Sequence, residues 1–344
     1  MGLKQLLSVG FLGALVMGIA GCKQESPETE STIKEKESAN IESIVEQAAP
    51  FERLINGHQY KFVGNKVIEM SSDEDNQARY GIISDAHGEI EKTISFAQKF
   101  KEMEVDGILC LGDMASNESL RYGRKDLKDD KEEIRNVLEA LAQTGLPIFT
   151  IVGNHESKPD YEAAIAEVSV KYPNVIDMTK FRIYDGDDVD FVSLPGYQTF
   201  KIPGKQFIPD NGYWAKPEFI QSTGKLRKGL DDMVILVTHG CGKTGSPGPA
   251  TIYDGRDVGN KTTTEMMREN NIPFAVCGHI HEAGGLAATY DGKIVKPNEF
   301  VKQFSANFGG LESWKNLDGN TYNGMAGVLT VKNDEAKFEM LYLQ

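Results

Sequence analysis

Residues 80–88 read YGIISDAHG. An apolar run of strand length stops at Ser84 and Asp85, and an imidazole follows at His87. The same event recurs in DGILCLGD (106–113), PIFTIVGNHE (147–156), DFVSLPGY (190–197), MVILVTHG (233–240) and PFAVCGHIH (273–281). Short, nearly continuous apolar runs indicate strands buried on both faces. Helical patterns lie between some of them. EIEKTISFAQKFKEM (89–103) sets Ile90, Ile94, Ala97 and Phe96 or Phe100 at helical spacing. DKEEIRNVLEALAQTG (130–145) does the same with Ile134, Val137, Leu138 and Leu141, and stops at Gly145. Strands alternating with helices predict an α/β fold. YKFVGNKVIEM (60–70) reads as a hairpin around Gly64 and Asn65, and GMAGVLTVKNDEAKFEMLYL (324–343) as another, so the sheets are expected to be mixed.

The chemistry sits where the strands stop, which is where open α/β sheets bind ligands. Asp85, His87, Asp113, Asn154, His155, His239, His279 and His281 all fall at such ends. Five of the six histidines are among them, and His58 alone lies elsewhere. In an extended backbone, residues i and i+2 point to one side. Asp85 and His87 can then reach one ion, and His279 and His281 one site. The neighbouring glycines let the chain turn sharply. Imidazole nitrogen, carboxylate and amide oxygen without thiolate suit Mn, Fe or Zn. The ligands are too many for one tetrahedral ion, whereas two ions bridged by a carboxylate use them all.

DAH, GD, GNHE, THG and GHIH, in that order from residue 79 to the C-terminus, resemble the calcineurin-like metallophosphoesterases. The resemblance implies a four-layer αββα sandwich of two mixed β-sheets flanked by helices. It implies two divalent or mixed-valence metal ions. Asp85, His87, Asp113 and His281 would hold one, and Asn154, His239 and His279 would join a bridging Asp113 on the other. A hydroxide bridging the ions would attack phosphorus in line. His155 would be the catalytic residue, facing the leaving group as general acid or as a stabilising cation. Glu156 and Glu282 would support the site or lie on the surface, Glu156 as a partner for an imidazole. The implied substrate is a small phosphate ester, phosphodiesters being favoured over monoesters. GDMASNES (112–119) lacks the second Asp and the Arg of the family's protein-phosphatase branch, which argues against that activity; Asn117 is a candidate contact to a substrate oxygen or a helix cap. The loop HGCGKTGSPGPATIYDGRDVGN (239–260) is a candidate cleft wall, with Lys243 or Arg256 available to a phosphate. Aromatics in 196–214 offer stacking or plain packing, and SANFGG (305–310) a turn lining the site.

The N-terminus has a different character. Met1–Lys4 carries one positive charge, LLSVGFLGALVMGIA (6–20) is almost wholly apolar, and IAGC ends it at Cys22. This is the pattern of a secretory signal, and it resembles a bacterial lipobox in which Cys22 takes the lipid. The expected division is a signal peptide over 1–21, a lipidated cysteine and disordered tether over 22–50, an extension with a hairpin over 51–78, and the phosphoesterase domain over 79–344. A short helix is expected near residues 40–49. The mature protein would work outside the cytoplasm, on a bacterial membrane. Cys110, Cys241 and Cys277 remain, an odd count without a disulfide framework. Cys110 and Cys277 read as buried small hydrophobes, and Cys241 is undecided. A net charge of −14 disfavours nucleic acid as a partner. Two other function classes stay open: a non-catalytic binding lipoprotein on the same scaffold, and an extracytoplasmic nuclease.

Overall fold

The structure is a computed structural model and describes residues 49–72, 75–116, 130–198, 200–202, 205–207 and 214–343. The signal peptide, Cys22, the tether, almost all of the helix expected near 40–49, and Asn117 lie outside the described residues.

Two large sheets carry the fold. The first contains β4 (Gln77–Ile83), β5 (Gly107–Cys110), β6 (Ile148–Thr150) and β7 (Val175–Asp177), paired parallel in that order. The C-terminal hairpin of β15 (Met325–Lys332) and β16 (Glu335–Tyr342) completes it, with β15 antiparallel to β4. The second sheet holds ten strands. It starts with β1 (Phe51–Ile55), β2 (His58–Val63) and β3 (Lys66–Glu69), two successive hairpins, and passes from β3 to β8 (Ile183–Asp185) in parallel. From there it runs through β9 (Val189–Leu194), β10 (Met233–Gly240) and β11 (Phe274–Gly278), then β14 (Phe304–Asn307), β12 (Ala287–Ala288) and β13 (Ile294–Val295). The turn between β1 and β2 places Asn56 and Gly57 at φ of 50° and 88°, the left-handed pair that tight hairpins favour.

Strand alternation sorts the side chains into layers. In β5 and just beyond it, Leu109 and Leu111 face the second sheet and join Tyr80, Phe149, Phe191, Val237, Phe274 and Phe304 in the inter-sheet core. Ile108 and Cys110 face the other way, onto helices α1 (Ile90–Glu102), α2 (Asp130–Ala142) and α3 (Lys158–Lys171). Val192, Val234 and Leu236 of the second sheet face α4 (Pro217–Gly224) and α5 (Lys261–Glu269) through Ile220, Met266 and Met267. The result is helix, sheet, sheet, helix: a four-layer α/β sandwich of mixed sheets. α1 buries Thr93, Phe96, Ala97 and Phe100, whereas Ile94 is 53% exposed, so the buried face lies one residue away from the expected position. α3 was not expected. Ser157 caps it by accepting from the Asp160 N–H, and Pro159 occupies its first turn.

Candidate metal centre

The eight predicted residues come together at the carboxyl ends of strands from both sheets. β4 leads into Asp85 and His87, β5 into Asp113, and β6 into Asn154 and His155. The second sheet supplies His239 at the end of β10, and His279 and His281 just beyond β11. Three sets of side chains each place ligand atoms within 4.8 Å of one another: Asp85, His87 and His281; His87, Asp113 and His155; and Asp113, His239 and His279. His281 Nε2 lies 3.2 Å from Asp85 Oδ1 and 3.4 Å from His87 Nε2. On the other side, His239 Nε2 lies 3.0 Å from Asn154 Oδ1, 3.2 Å from His279 Nδ1 and 3.2 Å from Asp113 Oδ2. Asp113 belongs to two of the sets and stands between the outer ones.

The backbone at these ends is not extended. Asp85, His87, Asp113 and His279 take φ of 50°, 44°, 52° and 69°. Left-handed conformations in non-glycine residues gather at functional sites. Asp85 and His87 therefore reach a common point by a coiled path, and the alternation of a strand is not the cause. Backbone hydrogen bonds hold the path: the Asp85, His87 and Gly88 N–H groups donate to the carbonyls of Gly112, Asp113 and Met114. The glycines act mainly by allowing close approach. A Cβ on Gly153 would overlap Asp113 Oδ1, and one on Gly278 would overlap Ser84 and Asp85. Gly88 and Gly112, at φ 74° and 92°, also need a left-handed backbone.

Three imidazoles are oriented by main-chain carbonyls. His87 Nδ1 meets Ala115 O at 3.1 Å, His155 Nδ1 meets Ser116 O at 3.1 Å, and His239 Nδ1 meets Leu111 O at 3.0 Å. A donating Nδ1–H leaves the Nε2 lone pair aimed into the site, the arrangement that metal-binding histidines require. The nitrogens of His87 and His281, and of His239 and His279, then face each other across gaps short of one cation. Charge tells the same story. Against the upward pull of burial, the His239 and His155 charges hold Asp113 well below the usual carboxylate range. Burial opposes the His239 cation, yet Asp113 and Asp85 push that imidazole up to about 9. Burial, helped by the neighbouring His239, brings His279 down to about 3. Among the described residues no lysine or arginine pairs with Asp85 or Asp113. Buried carboxylates, converging lone pairs and no resident cation are a donor set that fits two metal ions.

Several supporting residues escaped the sequence reading or were misjudged. Glu156 does not orient an imidazole. It is fully buried and accepts from the backbone N–H groups of Met114, Ala115 and Gly153, tying the loop after β5 to the loop after β6. Burial and the charge of Asp113 raise its carboxyl to about 7. Glu133 of α2 grips the same loop, accepting from both the N–H and the Oγ of Ser116 at 2.8 Å. Asn307 donates to the carbonyls of Pro249, Gly278 and Ile280, and the N–H of Leu311 donates to Asp85 O, so the SANFGG turn does line the site. Tyr197 packs on His279 with ring centroids 4.0 Å apart, and Trp314 meets His281 edge-on at 4.7 Å. Arg256 is paired with Asp254 at the surface, and Lys243 donates to the Asp257 carbonyl. The expected absence of a disulfide is overturned. Cys241 and Cys277 are bonded, with Cα atoms 5.2 Å apart, and Cys110 alone is free and buried among the described residues. The two bonded cysteines sit at the ends of adjacent parallel strands, a proximity that their separation of 36 residues conceals.

Comparison with known proteins agrees with the geometry. The calcineurin-like phosphoesterase family matches residues 78–283. The DNA double-strand break repair protein Mre11 of Methanosarcina acetivorans is 31% identical over 119 residues, which cover 32% of this chain and 18% of that protein. The chain thus spans under a fifth of that relative's length. A solved structure from Thermus thermophilus aligns with a TM-score of 0.54 at 12% identity, covering 78% of this chain and 99% of that one. A dimetal phosphatase from Danio rerio aligns with a TM-score of 0.50 at 11% identity, covering 79% and 99%. These likenesses concern the fold. The family match spans more than half of the chain and all eight of the site residues, and on that ground the chain belongs to the calcineurin-like phosphoesterases, a family of dinuclear metal-dependent hydrolases.

Proposed function

We propose that the protein is a lipid-anchored phosphoesterase that works outside the cytoplasm on small phosphate esters, with phosphodiesters preferred over monoesters. The observation that carries the reading is the convergence of two ligand sets on Asp113, with His155 beside them. Asp85, His87 and His281 would hold one ion, and Asn154, His239 and His279 the other. Asp113 would belong to both sets, and its Oδ1 is held in place by accepting from the Asn154 and His155 N–H groups at 2.6 and 2.9 Å. When bound, such a pair of Mn, Fe or Zn ions supplies Lewis-acid charge neutralisation of the phosphoryl group and acidifies water.

The remaining steps belong to side chains. The imidazole of His155 is 23% exposed, against 5%, 0% and 12% for His87, His239 and His281. Its Nδ1 is anchored to Ser116 O, so Nε2 faces the cavity 3.8 Å from Asp113 Oδ2. With Nδ1–H donated to Ser116 O, the imidazolium form carries its second proton at Nε2, and that proton suits delivery to the departing ester oxygen. Tyr197 and Trp314 wall the site with apolar surface and exclude water around the reacting group.

The extracytoplasmic setting draws on two features. The sequence of residues 6–22 has the form of a lipoprotein signal, with Cys22 as the lipid acceptor. The Cys241–Cys277 bond is of the kind that persists in oxidising compartments. The likeness to Mre11 favours a second reading, a nuclease, which the net charge of −14 opposes. A screen of the metal-loaded mature chain against chromogenic phosphodiesters, phosphomonoesters, nucleotides and DNA tests both. Metal-stimulated turnover of a small diester is the expected result. Turnover of DNA alone would favour the nuclease, and a metal-loaded chain inert toward every ester would leave a binding protein. Labelling with a fatty-acid analogue that is lost in Cys22→Ser tests the anchor.

A further inference from the structure

A second cluster of acids lies at the far end of β10, beside the turn between β8 and β9. Asp185 closes β8, Asp190 is its direct partner in β9, and Asp231 stands in the turn that enters β10. One ligand oxygen from each lies within 4.8 Å of the others. β10 carries His239 eight residues beyond Asp231, a strand length of roughly 25 Å, so the cluster is separate from the metal centre.

Acidic clusters at a surface usually need no explanation, but Asp190 is not at the surface. Its side chain is fully buried, and its Oδ1 takes no hydrogen bond. The carboxylate accepts from the Asp232 N–H, at 3.1 Å through Oδ2, and the Gly186 N–H also supports it. A buried carboxylate oxygen without a donor is costly unless a cation meets it. The one lysine paired with the cluster, Lys66, is bound to Asp185 Oδ2 and neutralises one charge of three. Asp187 and Asp232 add to the negative field, since both appear among the charges that act on their neighbours there. The missing counter-charge shows in Asp190 itself, which burial and the charges of Asp185 and Asp232 push up to about 7.

We propose that Asp185, Asp190 and Asp231 form a second, structural cation site that takes Ca²⁺. All of its donors are carboxylate oxygens, with no imidazole or thiol to draw zinc or iron. The ligands come from two separate turns, and Asp231 is exposed, which leaves an open rim for water. Calcium accepts such irregular, partly hydrated oxygen shells, whereas magnesium demands a near-octahedral one. A bound ion would fasten the β8–β9 turn to the entry of β10, the two parallel strands that lead up to Tyr197 and His239.

The test uses the full chain with its phosphoesterase centre filled by two equivalents of Zn²⁺ and free metal removed. Calcium is titrated by calorimetry, and melting is followed with and without calcium. One Ca²⁺ per chain is expected, with Tm raised by roughly 4 °C at a hundredfold excess over Kd. Asp190→Asn and the exposed Asp231→Ala should each weaken calcium binding at least tenfold and leave ester hydrolysis unchanged. In chelator, Asp190→Asn should melt no lower than the parent, because it removes a buried uncompensated charge. That separates a lost site from a damaged fold. The proposal is overturned if the Zn²⁺-loaded parent shows no calcium response, or if both variants keep it. An equal response to Mg²⁺ overturns the choice of calcium.

Discussion

At the scale of single residues, the site divides into side chains that would hold metal and one placed to move a proton. His155→Ala should lower kcat by about 10²–10⁴ for substrates with poor leaving groups, and less for nitrophenyl esters, whose leaving oxygen needs no proton. Its metal content should stay near that of the parent, since Asp113, His239 and His279 are untouched. Elemental analysis beside the kinetics checks this, and loss of both ions would recast His155 as a ligand. That alternative has a basis in the geometry, because His155 shares a cluster with His87 and Asp113. The same scale shows where sequence reading succeeds and where it stops. The eight site residues were legible, because each stands at the break between an apolar run and a glycine or acid. Their backbone was not, since left-handed φ values at Asp85, His87, Asp113 and His279 leave no mark in a pattern of polar and apolar letters. Glu156 was visible in GNHE, yet its work of accepting three backbone N–H groups depends on a loop 41 to 42 residues away.

At the scale of elements, the decisive tie is the disulfide between the ends of β10 and β11. It joins the residue two beyond His239 to the residue two before His279. Replacing both cysteines by serine should cost about 3–4 kcal/mol of stability on the loop-entropy account. It should also weaken metal binding about tenfold, as loss of a support around a metal site commonly does. Denaturation together with competition against a chromophoric chelator reads the two effects separately; unaltered metal affinity would confine the bond to a stabilising role. Cys110 should behave in the opposite way. Burial on the helix side of β5 pushes its thiol up to about 12. The folded protein keeps that thiol neutral, so its contribution to stability holds below the ordinary thiol range near 9 and is lost as pH climbs toward 12. Iodoacetamide at pH 8 should leave Cys110 unmodified until the chain is unfolded, as peptide mapping would show. The strands themselves were readable because their runs are uniform. α1 was misplaced because Ile94 and Phe96, two residues apart, lie on different flanks of the helix, and burying Phe96 together with Phe100 turns Ile94 outward.

At the scale of the whole molecule, the centre is a joint between sheets. Asp85, His87, Asp113, Asn154 and His155 come from the first sheet, and His239, His279 and His281 from the second. Stripping the metals should therefore loosen the contact of the two layers as well as abolish turnover. A fall in Tm of several degrees, reversed by Mn²⁺, is expected from ligand linkage. Faster amide exchange should appear at residues 85–88, 112–116 and 278–281 together; exchange confined to one sheet would contradict the joint. The sheet order carries one more consequence, and it concerns time. β4 is made early, but its antiparallel neighbour β15 is made about 250 residues later, and His281 lies 196 residues after Asp85. A ribosome releases the first five site residues well before the last three. Until the C-terminal hairpin has closed on β4, the chain owns ligands but no coordination site. A polypeptide threaded through a membrane before it folds would thus cross without metal, and its choice of ion would be set by the supply on the far side.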